Sequence, residues 1–307
     1  MEASPSSARP LVILNPAANR GNMAHLRAIV QERVKYEQAH YVETVTPWQA
    51  KELALKAARE GRSIIVVGGD GSVHEVANGM LAAGRRVALG IVAAGSGNDF
   101  AWNTLQLPRD PAAAMERAFN GQPVDVDVGR INDRYFVNSF SVGLDADIAV
   151  AANSLKKYPL MQGARLYYTS TLKQLLFGYR HCPWLSFEVI RDEQEPVRNV
   201  PECRYVLVAV TNGPTYGAGF RINPSADHQD GLFDVCYIRH MPLLRALQLL
   251  PIVQKGQHKD EPEITLELVR SIHIESRKPV NAQMDGEILS AMRFDAQILP
   301  GALCVRI

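Results

Sequence analysis

The sequence predicts an α/β protein, with a parallel α/β domain over residues 1–125 and a mainly antiparallel β-rich domain over residues 126–307. Three observations predict it. Short β-branched runs alternate with amphipathic stretches through the first domain, the pattern of parallel strands joined by crossover helices. From Val124 onward the apolar period shortens to alternation, with turn signals between successive strand-like runs. Finally, 307 residues with 47% apolar and 21% charged side chains suffice for two ordinary globular cores.

In the first domain Leu11–Leu14, Tyr41–Val45, Ser63–Val67 and Val87–Val92 are predicted strands, each followed by helix-like sequence. Thr46-Pro47-Trp48-Gln49 predicts a helix start with a capping Thr and Pro at the first helical position, and Gly61 is its stop. Ser72-Val73-His74-Glu75 predicts a second capping box, for a helix ending at Gly84. Val124–Val128 alternates, Asn132-Asp133 marks a turn, and Tyr135–Phe140 is the return strand. Further strands are expected at Leu185–Ile190, Tyr205–Thr211, Leu232–Ile238, Ile264–Leu268, Ile272–Glu275, Phe294–Leu299 and Leu303–Ile307. The last is a candidate to return to the first domain. Helices are expected near Gln162–Phe177 and Pro242–Gln254.

Composition removes several function classes. Lys and Arg number 33 against 32 Asp and Glu, a net charge of +1, so no overall basic character argues for nucleic acid. Cys182, Cys203, Cys236 and Cys304 are scattered without a C-x-x-C pair. They fit core positions in a reducing compartment better than a disulfide framework or a zinc site. No stretch approaches the roughly 20 apolar residues that span a bilayer. The most apolar, Leu243–Val253, contains Arg245, Gln248 and Pro251. Residues 1–10 lack the apolar region of a secretory leader. A cytoplasmic protein is expected, touching membranes only peripherally.

The central chemical signal is Val66-Val67-Gly68-Gly69-Asp70-Gly71-Ser72, at a strand end and a helix start. Ligands of parallel sheets sit off the carboxyl ends of strands, and a helix N-terminus presents N–H groups to phosphates. Glycines let the backbone approach a polyphosphate closely. Asp70 among them has the charge to hold Mg²⁺ or orient a nucleophile. A tight turn selected for geometry alone is the alternative. Two further strand-to-helix junctions of the same character weigh against it: Ala93-Ala94-Gly95-Ser96-Gly97-Asn98-Asp99-Phe100 and Asn15-Pro16-Ala17-Ala18-Asn19-Arg20-Gly21. Three such loops on one sheet edge describe a nucleotide cleft. It is not a P-loop, since G-x-x-x-x-G-K-[ST] is absent. Nor is it G-x-G-x-x-G, because Phe100 stands where the last glycine would. His74-Glu75 lacks a second His at Asn78, and the protein-kinase H-R-D motif is missing.

With these residues in hand, the sequence resembles the diacylglycerol kinase catalytic superfamily, which includes soluble bacterial lipid kinases, sphingosine kinases and ceramide kinases. Gly68-Gly69-Asp70-Gly71-Ser72, Glu75 and Asn78-Gly79 are similar to its G-G-D-G-T signature. Asn15-Pro16-Ala17-Ala18, Gly95-Ser96-Gly97-Asn98-Asp99-Phe100-Ala101, Asp127-Val128-Gly129, Asp230-Gly231 and Asp285-Gly286-Glu287 follow in family order. The resemblance implies a nucleotide-binding α/β domain, a β-sandwich-like domain, and ATP with Mg²⁺ as cofactors. The implied reaction is transfer of the γ-phosphoryl group to a lipid hydroxyl, with diacylglycerol, giving phosphatidic acid, as the leading acceptor. An NAD kinase-like enzyme and a non-catalytic nucleotide- or lipid-binding regulator are the alternatives. By the resemblance, ATP meets Asn15, Pro16, Ala17, Ala18, Asn19, Gly68, Gly69, Asp70, Gly71, Ser72, Val73, His74, Ser96, Asn98 and Asp99. It also meets a Thr after the second strand, Thr44, with Thr46 the other candidate. Glu287 corresponds to the proton acceptor, with Asp70 its competitor. Asp230, with main-chain oxygens of Asp227 and Leu232, corresponds to a structural Mg²⁺ site. Ser72 and Ser96 replace threonines and keep the hydroxyl, whereas Asn19 replaces a Gly, His74 an Asn and Trp102 an Arg.

Several residues carry a plainer reading as well. Asp127 either serves the site or faces solvent in an alternating strand, Asp99 either serves it or caps a short helix, and Asp285-Gly286 also suits a type I′ turn. Asn153–Leu185 holds Lys156, Lys157, Arg165, Lys173 and Arg180 with no acid, interleaved with aromatic and aliphatic residues. That composition suits an interfacial surface on anionic membranes, or a helix packed on the second domain with a solvated basic face. The expected partners are a lipid substrate at a membrane surface and, for assembly, a second copy in a homodimer; nucleic acid is not expected.

Overall fold

A computed structural model describes residues 9–155, 169–174, 178–192, 194–217 and 219–307. The chain divides into two units, Met1–Val126 with Gly301–Ile307, and Asp127–Pro300.

Unit 1 is built on four parallel strands, β1 (Leu11–Leu14), β2 (His40–Glu43), β3 (Ile64–Gly68) and β4 (Ala88–Ala93), in the order β2-β1-β3-β4. Cys304 and Val305 near the C-terminus add a parallel segment beside Ala88 and Leu89. Helices α1 (Ala24–Tyr36), α2 (Gln49–Arg59), α3 (Asp70–Ala82) and α4 (Pro111–Asn120) complete it. Every residue of β1 and β3 is buried, which is why these runs carry no polar side chain. Val12, Leu14, Ile65 and Val67 form one core with Val30, Met115 and Phe119 from α1 and α4. Helices α2 and α3 pack through small residues: a Cβ on Gly79 would lie 2.2 Å from the Lys51 carbonyl oxygen and 2.9 Å from the Ala54 methyl.

The predicted stops are found, and the predicted caps are not. Gly61 and Gly84, at φ +76° and +64°, follow α2 and α3. Thr46, however, does not cap α2. That helix begins at Gln49, after Trp48 at φ +64°, and the Gln49 side chain turns back to accept the Val45 N–H at 2.7 Å. Ser72 does not cap α3 either: the helix opens at Asp70, and the Ser72 hydroxyl accepts from Asn15 instead. The side-chain cap that does form is Asp110, which accepts the Ala113 N–H at 2.9 Å ahead of Pro111.

Unit 2 is antiparallel. It contains β5 (Pro123–Ile131), β6 (Arg134–Phe136), β7 (Ser139–Gly143), β8 (Trp184–Ile190), β9 (Arg198–Thr211), β10 (Phe233–Arg239), β11 (Ile264–Val269), β12 (Ser271–Met284) and β13 (Glu287–Arg306). The first residues of β5, through Val126, and the last of β13, from Gly301, belong to unit 1. Helices α5 (Leu144–Leu155) and α6 (Leu243–Gln254) lie after β7 and β10. The order is β11-β10-β9-β7-β12-β13, with β8 paired to both β9 and β12. Central strands bury both faces: Val208, Val210, Val235 and Tyr237 enter one core with Phe140, Phe187 and Phe294. Their neighbours Leu207, Ala209, Cys236 and Ile238 enter a second with α5 and α6. Period-two alternation between two cores produces the continuous apolar runs.

The predicted return strand is split into β6 and β7, and three predicted short runs, Ile272–Glu275, Phe294–Leu299 and Leu303–Ile307, fall on the long hairpin β12–β13. Its turn, Asp285-Gly286, has φ +48° and +92°, the two positive values a type I′ turn requires. Cys182, Cys236 and Cys304 are buried, Cys203 is half-buried, and all four are free thiols. Of the helix expected near Gln162–Phe177, residues 169–174 are helical; 162–168 and 175–177 lie outside the described residues. No helix among the described residues is long and apolar enough to cross a membrane.

Candidate active site

The three glycine- and hydroxyl-rich loops follow β1, β3 and β4 in unit 1. Asn15 ties the first to α3: its side-chain N–H donates to the Ser72 hydroxyl at 2.9 Å, and its Oδ1 accepts the Ala17 N–H at 2.9 Å. Beside this junction lies a pocket of about 470 Å³. Asn15, Pro16, Ala17, Thr44 and Ser72 all line it, and so do Thr46 and Glu75. Glu75 was not among the expected nucleotide contacts. Its position three residues after Ser72, on the same helical face, is the signal that marks it. Ala18 is buried, whereas Asn19 is exposed in a left-handed conformation at φ +46°. Val73 and His74 do not line this pocket; His74 is buried edge-on against Trp48, with ring centroids 6.0 Å apart.

The second and third loops meet glycine to glycine. A Cβ on Gly95 would lie 2.6 Å from the Gly69 Cα, so no side chain fits between them. Asp70 accepts the Asn98 N–H at 2.7 Å, and Asn98, at φ +58°, clamps its own loop through the N–H and C=O of Gly95 at 2.8 Å each. A Cβ on Gly97 would stand 3.0 Å from one Asp70 oxygen and 3.7 Å from one Asp99 oxygen, so both carboxylates flank this glycine. Asp99 is buried and held by Asn103 at 2.8 Å; Ser96 is exposed. Asp99 precedes the short helical turn Phe100–Thr104 without capping it. Around Gly71 a Cβ would meet nothing within 4 Å, so the first turn of α3 opens onto free space. Among the described residues no three metal-ligating side chains converge. Asp70 and Asp99 are hard oxygen donors of the kind that would hold Mg²⁺, but two carboxylates alone would not complete a site for it.

In unit 2 the Asp285 carboxylate accepts three backbone N–H groups, from Val137 at 2.8 Å, Asn138 at 3.0 Å and Ser139 at 2.9 Å. Glu287 follows as the exposed first residue of β13. Asp127 does not face solvent: it is 2% exposed and accepts the Gly231 N–H at 2.7 Å. Asp227 and Asp230 each accept an N–H two residues on, from Gln229 and Leu232. Burial, then Asp227 and Asp127 nearby, push the Asp230 carboxyl above its ordinary range. Asp234, buried and next to Asp230, is pushed up to about 7, and its Oδ2 has no hydrogen-bond partner among the described residues. The crowded carboxylates and the orphaned Asp234 oxygen have the hard-donor chemistry that suits a divalent ion.

Unit 2 also contains an apolar pocket of about 90 Å³ between α5, β9, β10 and α6. Leu144, Ile148, Leu207, Ile238, Leu249 and Val253 dominate its wall, and Asp145, Thr171 and Tyr216 are its polar members among the described residues. Nothing in the sequence marked it, because its residues come from four elements and read individually as core.

Residues 9–131 match the diacylglycerol kinase catalytic domain, and residues 138–307 match the YegS C-terminal NAD kinase beta sandwich-like domain. A protein of Chromohalobacter salexigens named "Probable lipid kinase YegS-like" is 32% identical over 88% of this chain and 85% of its own. A diacylglycerol kinase of Mycobacterium tuberculosis is 28% identical over 95% and 93%. The crystal structure of a "putative diacylglycerol kinase" from Bacillus anthracis superposes with a TM-score of 0.78 at 25% identity, covering 97% of this chain and 94% of that one. With both domain matches along one chain and a lipid kinase relative at 32% identity, the chain belongs to the diacylglycerol kinase family of lipid kinases.

Proposed function

We propose that the acceptor is diacylglycerol, phosphorylated by ATP at its free hydroxyl to give phosphatidic acid. The observation that carries this reading is the apolar lining of the unit 2 pocket, which matches hydrocarbon in its chemistry. An NAD kinase-like acceptor would need a polar one. In this reading the Asn15–Ala17 loop, Thr44, Ser72 and Glu75 seat the nucleotide, and the open first turn of α3 receives its phosphates. Asp70 and Asp99 hold Mg²⁺, which neutralises phosphate charge when bound. Glu287, on a turn fixed by Asp285, takes the proton of the acceptor hydroxyl. Asp230 and the main-chain oxygens of Asp227 and Leu232 hold a second, structural Mg²⁺.

Peripheral membrane contact is assigned to the Asn153–Leu185 region, of which residues 156–168 and 175–177 lie outside the described residues. In its support, Leu172 and Trp184 are 44% and 54% exposed beside the exposed Lys173 and Arg180. Leu244, at 70%, adds to them through the Tyr179 hydroxyl, which bonds the Met241 carbonyl just before α6 at 2.7 Å.

The test is ATP labelled at the γ-phosphate, incubated with the full chain and separately with diacylglycerol, ceramide, sphingosine and NAD. Label should enter phosphatidic acid, and Glu287→Gln should lower kcat by about 10²–10⁴-fold with ATP affinity unchanged. Label in NAD phosphate alone would replace this reading.

A further inference from the structure

Asp145 opens α5 at the wall of the apolar pocket and has no place in the chemistry above. Its two oxygens differ. Oδ2 accepts from the Tyr216 hydroxyl at 2.9 Å and from the Ser141 hydroxyl. Oδ1 is buried and has no hydrogen-bond partner among the described residues. None of the described residues that line the pocket is a cation. A bare carboxylate there, facing a hydrocarbon chain, would be costly, whereas a carboxylic acid would not. With Oδ2 already accepting twice, Oδ1 is the position left for the proton. The network also continues away from the pocket. Gln283 donates to Ser141 at 2.9 Å and accepts the Gly286 N–H at 3.0 Å, on the turn that precedes Glu287.

We propose that Asp145 is the polar anchor of the lipid pocket and that, as a neutral acid, it donates a hydrogen bond from Oδ1 to an ester carbonyl of the lipid. The anchor selects ester-linked lipids over ether-linked ones and holds the glycerol end at a fixed depth. It rests on the reading that the pocket receives the lipid chains. Independent support comes from the group's own behaviour. Burial, outweighing the bonds from Ser141 and Tyr216, raises the Asp145 carboxyl from its ordinary 3.8 to about 6. The titratable groups packed in the same core are Tyr216, Tyr179, Cys182 and Cys236. Burial pushes the Cys182 thiol up to about 11 and the Cys236 thiol and Tyr179 hydroxyl upward too, so they stay neutral. Asp147, on the same helix, is engaged by Asn281 at 2.7 Å.

The experiment is titration calorimetry of the full chain with dioctanoylglycerol and its diether analogue dioctylglycerol, in non-ionic micelles at pH 6, 7 and 8. Both lipids are uncharged, so any pH effect arises in the protein. The wild type should bind the diester about tenfold tighter than the diether at pH 6. Its diester affinity should fall about tenfold to fiftyfold by pH 8, as the neutral fraction shrinks. Asp145→Asn keeps an acceptor for the two hydroxyls and a permanent N–H donor toward the pocket. It should therefore bind the diester well at every pH, with its melting temperature showing that it is folded. Equal binding of diester and diether by the wild type, an affinity that ignores pH, or loss of diester binding in Asp145→Asn at pH 6 would each overturn the anchor. The first two arms do not depend on the variant's folding. Failure of the wild type to bind either lipid would overturn the pocket reading itself, and the anchor with it.

Discussion

Asp285 offers the most direct test of how unit 2 holds its candidate base. Its Oδ1 accepts the Asn138 and Ser139 N–H groups, and its Oδ2 accepts that of Val137. These are the residues that break the predicted return strand into β6 and β7, and all three are buried. Asp285→Asn leaves the backbone unstrained, since Asn tolerates the same positive φ. The amide oxygen can keep the two bonds of Oδ1, but the NH₂ then faces the Val137 N–H, donor against donor. Leaving that buried N–H unpaired costs about 1–3 kcal/mol, and exchanging a charged acceptor for a neutral one weakens the other two bonds by about 1 kcal/mol each. Because Asp285 itself is only half-buried, a total near 3 kcal/mol is expected. For a unit of this size that is a fall in Tm of about 6–12 °C. Urea unfolding followed by circular dichroism measures it, with Asp133→Asn, on an exposed turn, as the control expected within about 0.5 kcal/mol. A loss below about 1 kcal/mol in Asp285→Asn would refute the account of this turn.

Two further outcomes follow from the same geometry. Gly71→Val should leave the melting temperature nearly unchanged, because its side chain enters open space, yet ATP affinity by calorimetry should collapse; unchanged affinity would move the phosphates elsewhere. Asp145, with a folded-state value above its ordinary one, binds its proton more tightly folded than unfolded, so its contribution to stability is lost as pH rises from about 4 to about 6. Between pH 4.5 and pH 7 the stability of Asp145→Asn relative to wild type should therefore improve by about 2 kcal/mol in urea unfolding; a constant difference would mean the carboxyl is not perturbed.

How much of this was legible in the sequence divides by distance along the chain. The strands of unit 1 and the loops after them are local: short apolar runs of four to six residues, with Asn15 after β1, Gly68-Gly69 closing β3 and Gly95-Ser96-Gly97 soon after β4. The helix starts were misread for an equally local reason. Ser72 and Gln49 have capping chemistry, but the first is engaged by Asn15, 57 residues away, and the second by the loop before it. The long hairpin β12–β13 was fragmented in the sequence because its middle, Ser276–Asn281, is polar and partly exposed, so no apolar alternation marks it. Asp145 was invisible altogether. An acid in the first turn of a helix is ordinary by composition, and only Gln283 and Tyr216, 138 and 71 residues away, reveal what surrounds it.

The glycines of the signature show what such a motif does and does not encode. Gly79 is required because α2 and α3 touch there, at 2.2 Å from the Lys51 carbonyl oxygen, and this is a demand of packing alone. Gly69 is required because Gly95 stands behind it, so a side chain there would separate two loops before it met any ligand. Gly71 has neither constraint: its φ is not in the left-handed region, and nothing stands within 4 Å of where a Cβ would be. Gly71 sits at the N-terminus of a 13-residue helix with Asp70 beside it, the place where the proposed function puts the phosphates. The motif letter is the same at all three positions, but packing accounts for it at Gly69 and Gly79 and not at Gly71.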